Sequence, residues 1–98
     1  MNMQQLMAQA QKMQRELKKA KDALHEQEFS VNKAGAVTVT VKGDKTVTKV
    51  EIDKDALEDK EMVEEMIVLA LNELFDKIDD EEEAIEDKIT GGRGGIGF

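Results

Sequence analysis

The middle of the chain carries the clearest pattern of apolar and polar positions. Between residues 35 and 53, apolar side chains alternate with small or polar ones, most regularly at Val37, Val39 and Val41. This period of two predicts a strand with one buried face. Gly43-Asp44 is a two-residue hairpin signal with glycine first, and it predicts a tight turn into a second antiparallel strand.

The predicted turn also sets a register. If only Gly43 and Asp44 form the loop, the facing pairs are Lys42 with Lys45, Val41 with Thr46, Val39 with Thr48, Val37 with Val50 and Gly35 with Ile52. Val50 and Ile52 then lie on the same face as the three valines. The hairpin therefore has one apolar face that needs a cover, and the neighbouring helices are the available covers.

A second pattern, with a period of seven, fills the N-terminal quarter of the chain. Apolar residues follow one another at alternating spacings of three and four, which is the a/d seam of a heptad repeat. The seam residues are Met3, Leu6, Ala10, Met13, Leu17, Ala20 and Leu24. At about 1.5 Å per residue such a helix is roughly 33 Å long, too long for three short strands to cover. We expect part of it to project or to pair with another chain.

Helical spacing returns after Asp59 and predicts a second long helix. Its apolar stripe consists of Met62, Val63, Met66, Ile67, Ala70, Leu71, Leu74, Phe75 and Ile78. Val68 and Leu69 make residues 66–71 apolar on all sides, which in a small protein favours burial against a second chain. The acidic residues 79–87 are expected to continue the helix as a thin extension that frays.

The remaining segments complete an α+β prediction. Residues 28–32 form a short alternating run that predicts a first strand, which Ala34-Gly35 turns into the hairpin. The predicted fold is a long N-terminal helix, a three-stranded antiparallel meander and a long C-terminal helix, assembled as a homodimer. Residues 1–90 are expected to form the single domain, and residues 91–98 a flexible glycine-rich tail.

Composition narrows the class of protein. The chain has 98 residues, and only 3% of them are aromatic, so the core is thin and built from aliphatic side chains. A core of this kind favours a homo-oligomer. The chain has no cysteine, no signal-peptide pattern and no apolar run approaching the ~20 residues of a membrane span. We expect a soluble cytoplasmic protein.

Charge is unevenly distributed between the two halves of the chain. Residues 1–50 carry nine Lys and Arg against five Asp and Glu, whereas residues 51–98 carry five against seventeen. Opposite the seam of the first helix lie Lys12, Arg15, Lys18 and Lys19, with Lys21 on the flank. Such a stripe could contact phosphates, or it could be an ordinary solvated face.

The sequence gives little support for a catalytic site or a cofactor-binding site. Residues 92–97 read G-x-G-x-x-G, but they neither follow a strand nor open a helix. Asp53 and Asp55 begin like a calcium loop, which Leu57 then breaks. Ser30 is the only serine and His25 the only histidine, which leaves no nucleophile, base and orienting group. The prediction is a protein without catalytic residues, cofactor or metal.

Taken together, several short motifs resemble the YbaB/EbfC family of nucleoid-associated proteins. The motifs are residues 9–14 (QAQKMQ) in the first helix, residues 50–53 (VEID) after the hairpin, and residues 59–62 (DKEM) opening the second long helix. Asn72-Glu73 and the glycine-rich end complete the order. The resemblance covers essentially the whole chain. Two departures are a tail without proline and a more acidic segment at residues 79–87.

The resemblance implies a tweezer-shaped homodimer in the nucleoid that binds double-stranded DNA with little sequence preference. The candidate DNA-binding residues are Lys12, Arg15, Lys18, Lys19, Lys21, Lys42 and Lys45. The candidate dimer-interface residues are Met66, Ile67, Leu69 and Leu71. The overall acidity and the scarcity of aromatic residues favour a second hypothesis, an acidic dimeric protein-interaction module that does not bind nucleic acid.

Overall fold

The computed structural model describes residues 2–91 and contains two long helices and one sheet. Helix α1 spans Met3–Glu26 and helix α2 spans Lys60–Ile89. Between them lie strands β1 (Glu28–Lys33), β2 (Val37–Lys42) and β3 (Val47–Ile52), and a 3-10 turn at Lys54–Glu58. The strands form an antiparallel sheet in the order β1-β2-β3. This arrangement confirms the predicted order of a helix, three antiparallel strands and a helix.

Helix α1 is an arm that is only partly attached to the rest of the molecule. Asn2 caps it, because the Asn2 side chain accepts the backbone N–H of Gln5 at 2.8 Å and the Gln5 side chain accepts the backbone N–H of Asn2. Every residue from Asn2 to Glu16 is exposed, whereas Leu24 is buried. The predicted projection of the first helix is therefore confirmed, and the molecule extends over 68 × 28 × 14 Å.

The core lies between the sheet and one face of α2. Val37, Val39 and Val41 of β2 are completely buried, as the alternation predicts. Helix α2 packs across β1 and β2 through a buried stripe of Val63, Ala70, Leu74 and Ile78. It does not extend over β3, all of whose residues are exposed. One third of the apolar sheet face thus lacks a cover among the described residues.

The predicted hairpin register is wrong by two residues from Val37 to Thr40 and by one residue at Val41. Val39 pairs with Val50 and Val37 pairs with Ile52, in place of the predicted Thr48 and Val50. An irregularity between Thr40 and Val41 leaves an extra residue in β3. Because a shift of two residues preserves the face, Val50 and Ile52 still lie on the valine face as expected.

A longer loop than Gly43-Asp44 explains one residue of the shift, and the irregularity between Thr40 and Val41 explains the other. The Lys45 backbone N–H donates to the Lys42 carbonyl at 2.8 Å, and the Lys42 N–H donates to the Thr46 carbonyl at 2.8 Å, so Lys42 faces Thr46 and not Lys45. Lys45 adopts the left-handed region with φ of 70°, which the hairpin signal did not indicate. The Asp44 carboxylate accepts the Thr46 N–H at 2.9 Å, and hydrogen bonding to Thr46 holds the pKa of Asp44 below its usual value.

Gly43 serves the packing of α1 and not a positive φ. A Cβ atom at this position would lie 1.8 Å from the backbone carbonyl oxygen of Leu24. The Gly43 N–H also donates to the carbonyl of Gln27 at 2.9 Å. The hairpin turn and the end of α1 can approach this closely because the residue has no side chain.

Helix α2 starts and continues as predicted. The Asp59 side chain caps it by accepting the Met62 N–H at 3.2 Å. The acidic residues 79–87 are helical, and the helix ends only at Ile89. The predicted flexible tail falls on residues 91–98, and all of these except Gly91 lie outside the described residues. No helix of the described chain is long and apolar enough to span a membrane.

Candidate nucleic-acid interface

Three basic residues on α1 are exposed and free of carboxylate partners within residues 2–91. Lys12, Arg15 and Lys19 are spaced three and four residues apart, so they lie along one side of the helix. This side faces away from the seam that packs against the body. Long cationic side chains in this setting can reach an external anion without breaking an internal ion pair.

The other two basic residues of α1 are paired with carboxylates. Lys18 contacts Asp22 on the same helix at 2.7 Å, which raises the pKa of Lys18 and lowers that of Asp22. Lys21 donates to Glu86 of α2 at 2.8 Å, and this hydrogen bond raises the pKa of Lys21. The Lys18 pair is solvent-exposed and weak, whereas the Lys21 pair is half-buried and joins two elements.

Lys42 and Lys45, the two candidate DNA contacts beside the hairpin turn, have partners within the body. The Lys42 ammonium lies 3.3 Å from Glu26 at the end of α1. The Lys45 ammonium lies 2.7 Å from Asp79 and 5.9 Å from the centre of the Phe75 ring. These contacts fasten the hairpin turn to both helices. The sequence-predicted set of seven therefore separates into a free group on the arm and a paired group near the body.

Acidic residues of α2 hold the C-terminal half of α1. In addition to the Lys21–Glu86 bond, the His25 imidazole lies 4.0 Å from the Glu82 carboxylate. Leu24 lies between Lys21 and His25 along the helix and is 4% exposed. The acidic run was not predicted to have this role. The charge difference between the two halves of the chain was the available signal, but it does not identify the pairs.

The four predicted dimer-interface residues occupy different surroundings on α2. Met66, Ile67 and Leu71 are half-buried against the core of their own chain, whereas Leu69 is 46% exposed. Val68, which was not in the predicted set, is 57% exposed. Leu69 and Val68 lie on opposite flanks of the helix, because successive residues are turned by about 100°.

Side-chain contacts identify the two flanks. Glu73, one turn after Leu69, pairs with Lys33 at the end of β1. Phe75, two turns after Val68, lies under Lys45, which shortly precedes β3. The Val68 flank therefore borders the bare apolar face of β3, where Val47, Val50 and Ile52 are 44%, 43% and 38% exposed.

No metal or catalytic arrangement accompanies these surfaces in the part of the chain that the structure describes. Within residues 2–91, no three His, Asp or Glu side chains are grouped to hold a metal ion. Buried charged or polar side chains are also lacking there. The chemistry available to the described residues is ion pairing on the arm and apolar contact on β3 and α2.

Comparisons with known proteins match one family over nearly the whole chain. A family model described as the YbaB/EbfC DNA-binding family matches residues 1–93. A nucleoid-associated protein of Agathobacter rectalis is 44% identical over 97 residues, covering 96% of this chain and 86% of the relative. A nucleoid-associated protein of Enterococcus faecalis is 40% identical over 98 residues, covering 97% of this chain and 94% of the relative.

A solved structure shares the fold at lower identity. The crystal structure of an uncharacterized protein from Helicobacter pylori superposes with a TM-score of 0.79 at 21% identity, covering 92% of this chain and 98% of that one. At this identity the likeness concerns the fold alone. The family match spans nearly the whole chain and includes both helices and the sheet. The chain belongs to the YbaB/EbfC DNA-binding family.

Proposed function

We propose that this chain acts as a nucleoid-associated protein whose homodimer holds duplex DNA through backbone phosphates with little sequence preference. The observation that carries the proposal is the free basic side of α1, formed by Lys12, Arg15 and Lys19. These side chains are exposed and lack carboxylate partners within residues 2–91, whereas the other four candidate residues are paired. The names of the relatives support a place in the nucleoid, within the cytoplasm.

The type of contact follows from the residues. Lysine and arginine on phosphates position a protein on a duplex without reading its bases. Aromatic stacking groups do not accompany the free basic side, because Gln11, Ala8 and Glu16 are its near neighbours on the helix. Weak sequence preference is the expected result.

The acidic end of α2 is compatible with this use of α1. Two of its carboxylates, Glu82 and Glu86, face the His25 and Lys21 end of α1. The free basic side begins at Lys19 and continues toward the N-terminus, away from these carboxylates. A Debye length near 10 Å at 0.1 M salt screens the more distant acidic residues from the arm.

A salt titration of DNA affinity tests the proposal. A dimer offers six free basic side chains, and if four or five reach phosphates, log K should fall with log salt at a slope of about −4. The affinity should be similar for duplexes of unrelated sequence. Absence of binding at low salt would contradict the proposal and favour the protein-interaction module.

The homodimer is supported by the bare apolar surface beside α2. Val50 and Ile52 are exposed on the face of β3 that α2 leaves open, Val68 is exposed on the flank of α2, and half-buried Leu71 follows Val68 by about one turn of the helix. Apolar surface of this kind is stabilised by burial against a partner. The proposed interface therefore keeps Leu71 from the predicted set and adds Val68, whereas Leu69 lies on the flank toward β1.

Two charge substitutions distinguish the flanks. Val68→Glu should convert the dimer to monomer in light scattering, because it places a charge within the apolar interface. Leu69→Glu is the matched control, since it introduces the same side chain at a similarly exposed position on the other flank. Dissociation by Leu69→Glu alone would move the interface to the β1 side, and a monomeric parent would refute the dimer.

A further inference from the structure

The N-terminal half of α1 carries an apolar seam that nothing covers within residues 2–91. We define the arm seam as Met3, Leu6, Ala10 and Met13. Met3 is 71% exposed, Leu6 50% and Met13 40%, and the adjacent Met7 is 56% exposed. This surface lies apart from both the basic side of α1 and the proposed dimer interface on β3 and α2.

The C-terminal half of the same heptad seam indicates that the partner of this surface is a helix. This half, at Leu17, Ala20 and Leu24, packs against another helix, α2. Helix α2 ends at Ile89, which lies beside Met13 and Gln9 of α1. The seam continues for three more turns beyond that point, so the arm seam is the unoccupied continuation of a helix-packing surface.

From this continuity we infer that the arm seam binds the arm seam of a second copy of this chain, in an antiparallel helix pair. A parallel pair would bring the two α2 ends together, because α2 ends at Ile89 beside Met13 of α1. An antiparallel pair places the two bodies at opposite ends. The inference goes beyond the proposed function, since it joins one dimer to another.

The register of the seam is self-complementary in this arrangement. In an antiparallel pair centred on Ala8, Met3 lies opposite the second copy's Met13, and Leu6 lies opposite the second copy's Ala10. The larger side chain of each inner layer thus faces the smaller one, which suits close helix packing. A patch that fits itself across a two-fold axis is what an isologous contact between identical chains requires.

The flanks of the arm seam carry few charges. Met7, Gln9 and Gln14 border the seam, and only its Met13 end has charged neighbours, Lys12 and Glu16, which are of opposite sign. A second, identical arm can approach without like-charge repulsion, whereas an oppositely charged partner would gain nothing from these residues. The contact area is small, so the association should be weak in free solution and strengthened when dimers are concentrated on DNA.

The inference is tested by comparing the molecular mass of the parent with the masses of two matched variants. In light scattering up to millimolar protein, the mass of the parent should rise to at least twice that of its basal assembly, because each dimer carries two arms. Leu6→Glu should abolish this increase without altering the basal assembly, because Leu6 is exposed in the single chain. Gln4→Glu introduces the same side chain two residues away, off the seam, and should behave as the parent. Equal masses for the parent, Leu6→Glu and Gln4→Glu at every concentration would overturn the inference.

Cross-linking tests the antiparallel register. The chain has no cysteine, so Leu6→Cys and Ala10→Cys can be introduced in separate proteins that carry different tags. On mild oxidation the mixture should yield mainly the Leu6→Cys to Ala10→Cys product, because only that pair brings the two Cβ atoms within disulfide range. Predominant linking of Leu6→Cys to itself, or equal amounts of all products, would contradict the register.

The C-terminal segment is the other candidate occupant of the arm seam. If residues beyond Thr90 covered the seam within one chain, a protein ending at Thr90 would associate more strongly than the parent, and the inference would be overturned. Unchanged association on truncation supports it. These readouts are independent of DNA binding and of Val68, so failure here leaves the proposed function standing.

Discussion

The two halves of α1 share one heptad seam and the same kind of basic side chain, but they lie in different surroundings. In the C-terminal half, Leu24 is buried and Lys21 is bonded to Glu86. In the N-terminal half, Leu6 is 50% exposed and Lys12 has no carboxylate partner within residues 2–91. The sequence pattern alone does not distinguish the halves.

The length of α2 makes the difference. As far as α2 accompanies α1, its apolar residues cover the seam, and its Glu86 carboxylate binds Lys21. Beyond Ile89 the seam of α1 is exposed. Lys12, Arg15 and Lys19 are free because they lie on the side of α1 opposite the seam.

The largest expected effect comes from the point where the attached half meets the sheet. Gly43→Ala should lower the free energy of unfolding by about 3 kcal/mol, because its Cβ would collide with the Leu24 carbonyl. Lys49→Ala, an exposed change in the same hairpin, should cost less than about 0.5 kcal/mol. Urea unfolding at one protein concentration measures both, and a tolerated Gly43→Ala would refute the close approach.

Shortening one seam side chain in each half of α1 compares the stability contributions of the two halves directly. Leu24→Ala should destabilise by about 2 to 4 kcal/mol, because it leaves a cavity under the end of α1. Leu6→Ala removes the same atoms from an exposed position and should cost less than about 1 kcal/mol at low protein concentration. Similar losses for the two variants would show that the arm is covered in the isolated protein.

Removing a free lysine and a paired lysine of α1 should change DNA binding unequally. Lys19→Ala should reduce the steepness of the salt dependence by about 0.9 for each phosphate that the variant no longer binds. Lys21→Ala should reduce it by less, because Glu86 already neutralises Lys21. An equal or larger change for Lys21→Ala would mean that the Glu86 bond opens when DNA binds.

The smallest expected effect concerns the pH dependence of the Lys21–Glu86 bond. Because the pKa of Lys21 is raised in the folded chain, its contribution to stability is complete below the usual lysine pKa of about 10.4 and is lost as pH rises through the folded value. The parent should therefore be slightly more stable than Glu86→Gln at neutral pH, and the two should converge at strongly alkaline pH. Thermal unfolding across this range measures the difference, and a constant gap would exclude the bond as its cause.

Periodicity predicted the elements because each pattern acts locally. The alternation at Val37 to Val41 and the stripe of α2 require no knowledge of distant residues. The hairpin register was missed because it depends on Lys45, whose left-handed backbone is accompanied by contacts with Asp79 and Phe75 on a different element. The two-residue signal Gly43-Asp44 does not indicate contacts between Lys45 and residues of α2.

The sequence predicted the candidate DNA-binding residues only as one group, without dividing them into free and paired residues. Heptad position identified the basic residues of α1, but the separation into free and paired residues depends on which carboxylates the fold brings near. Glu86 is 65 positions from Lys21 in the chain, and Glu82 is a comparable distance from His25. Charge counts along the chain show an imbalance without showing these partners.

The most direct measurement is the affinity for DNA after charge reversal on the free basic side of α1. Arg15→Glu with Lys19→Glu changes no seam position, so the fold and the dimer should persist while affinity falls roughly tenfold or more for every duplex at low salt. Lys54→Glu with Lys60→Glu is the control, because it alters net charge equally at exposed positions away from α1. If the α1 variant bound DNA as well as the parent, or if the control weakened binding as much, the free basic side of α1 would not be the DNA-binding surface.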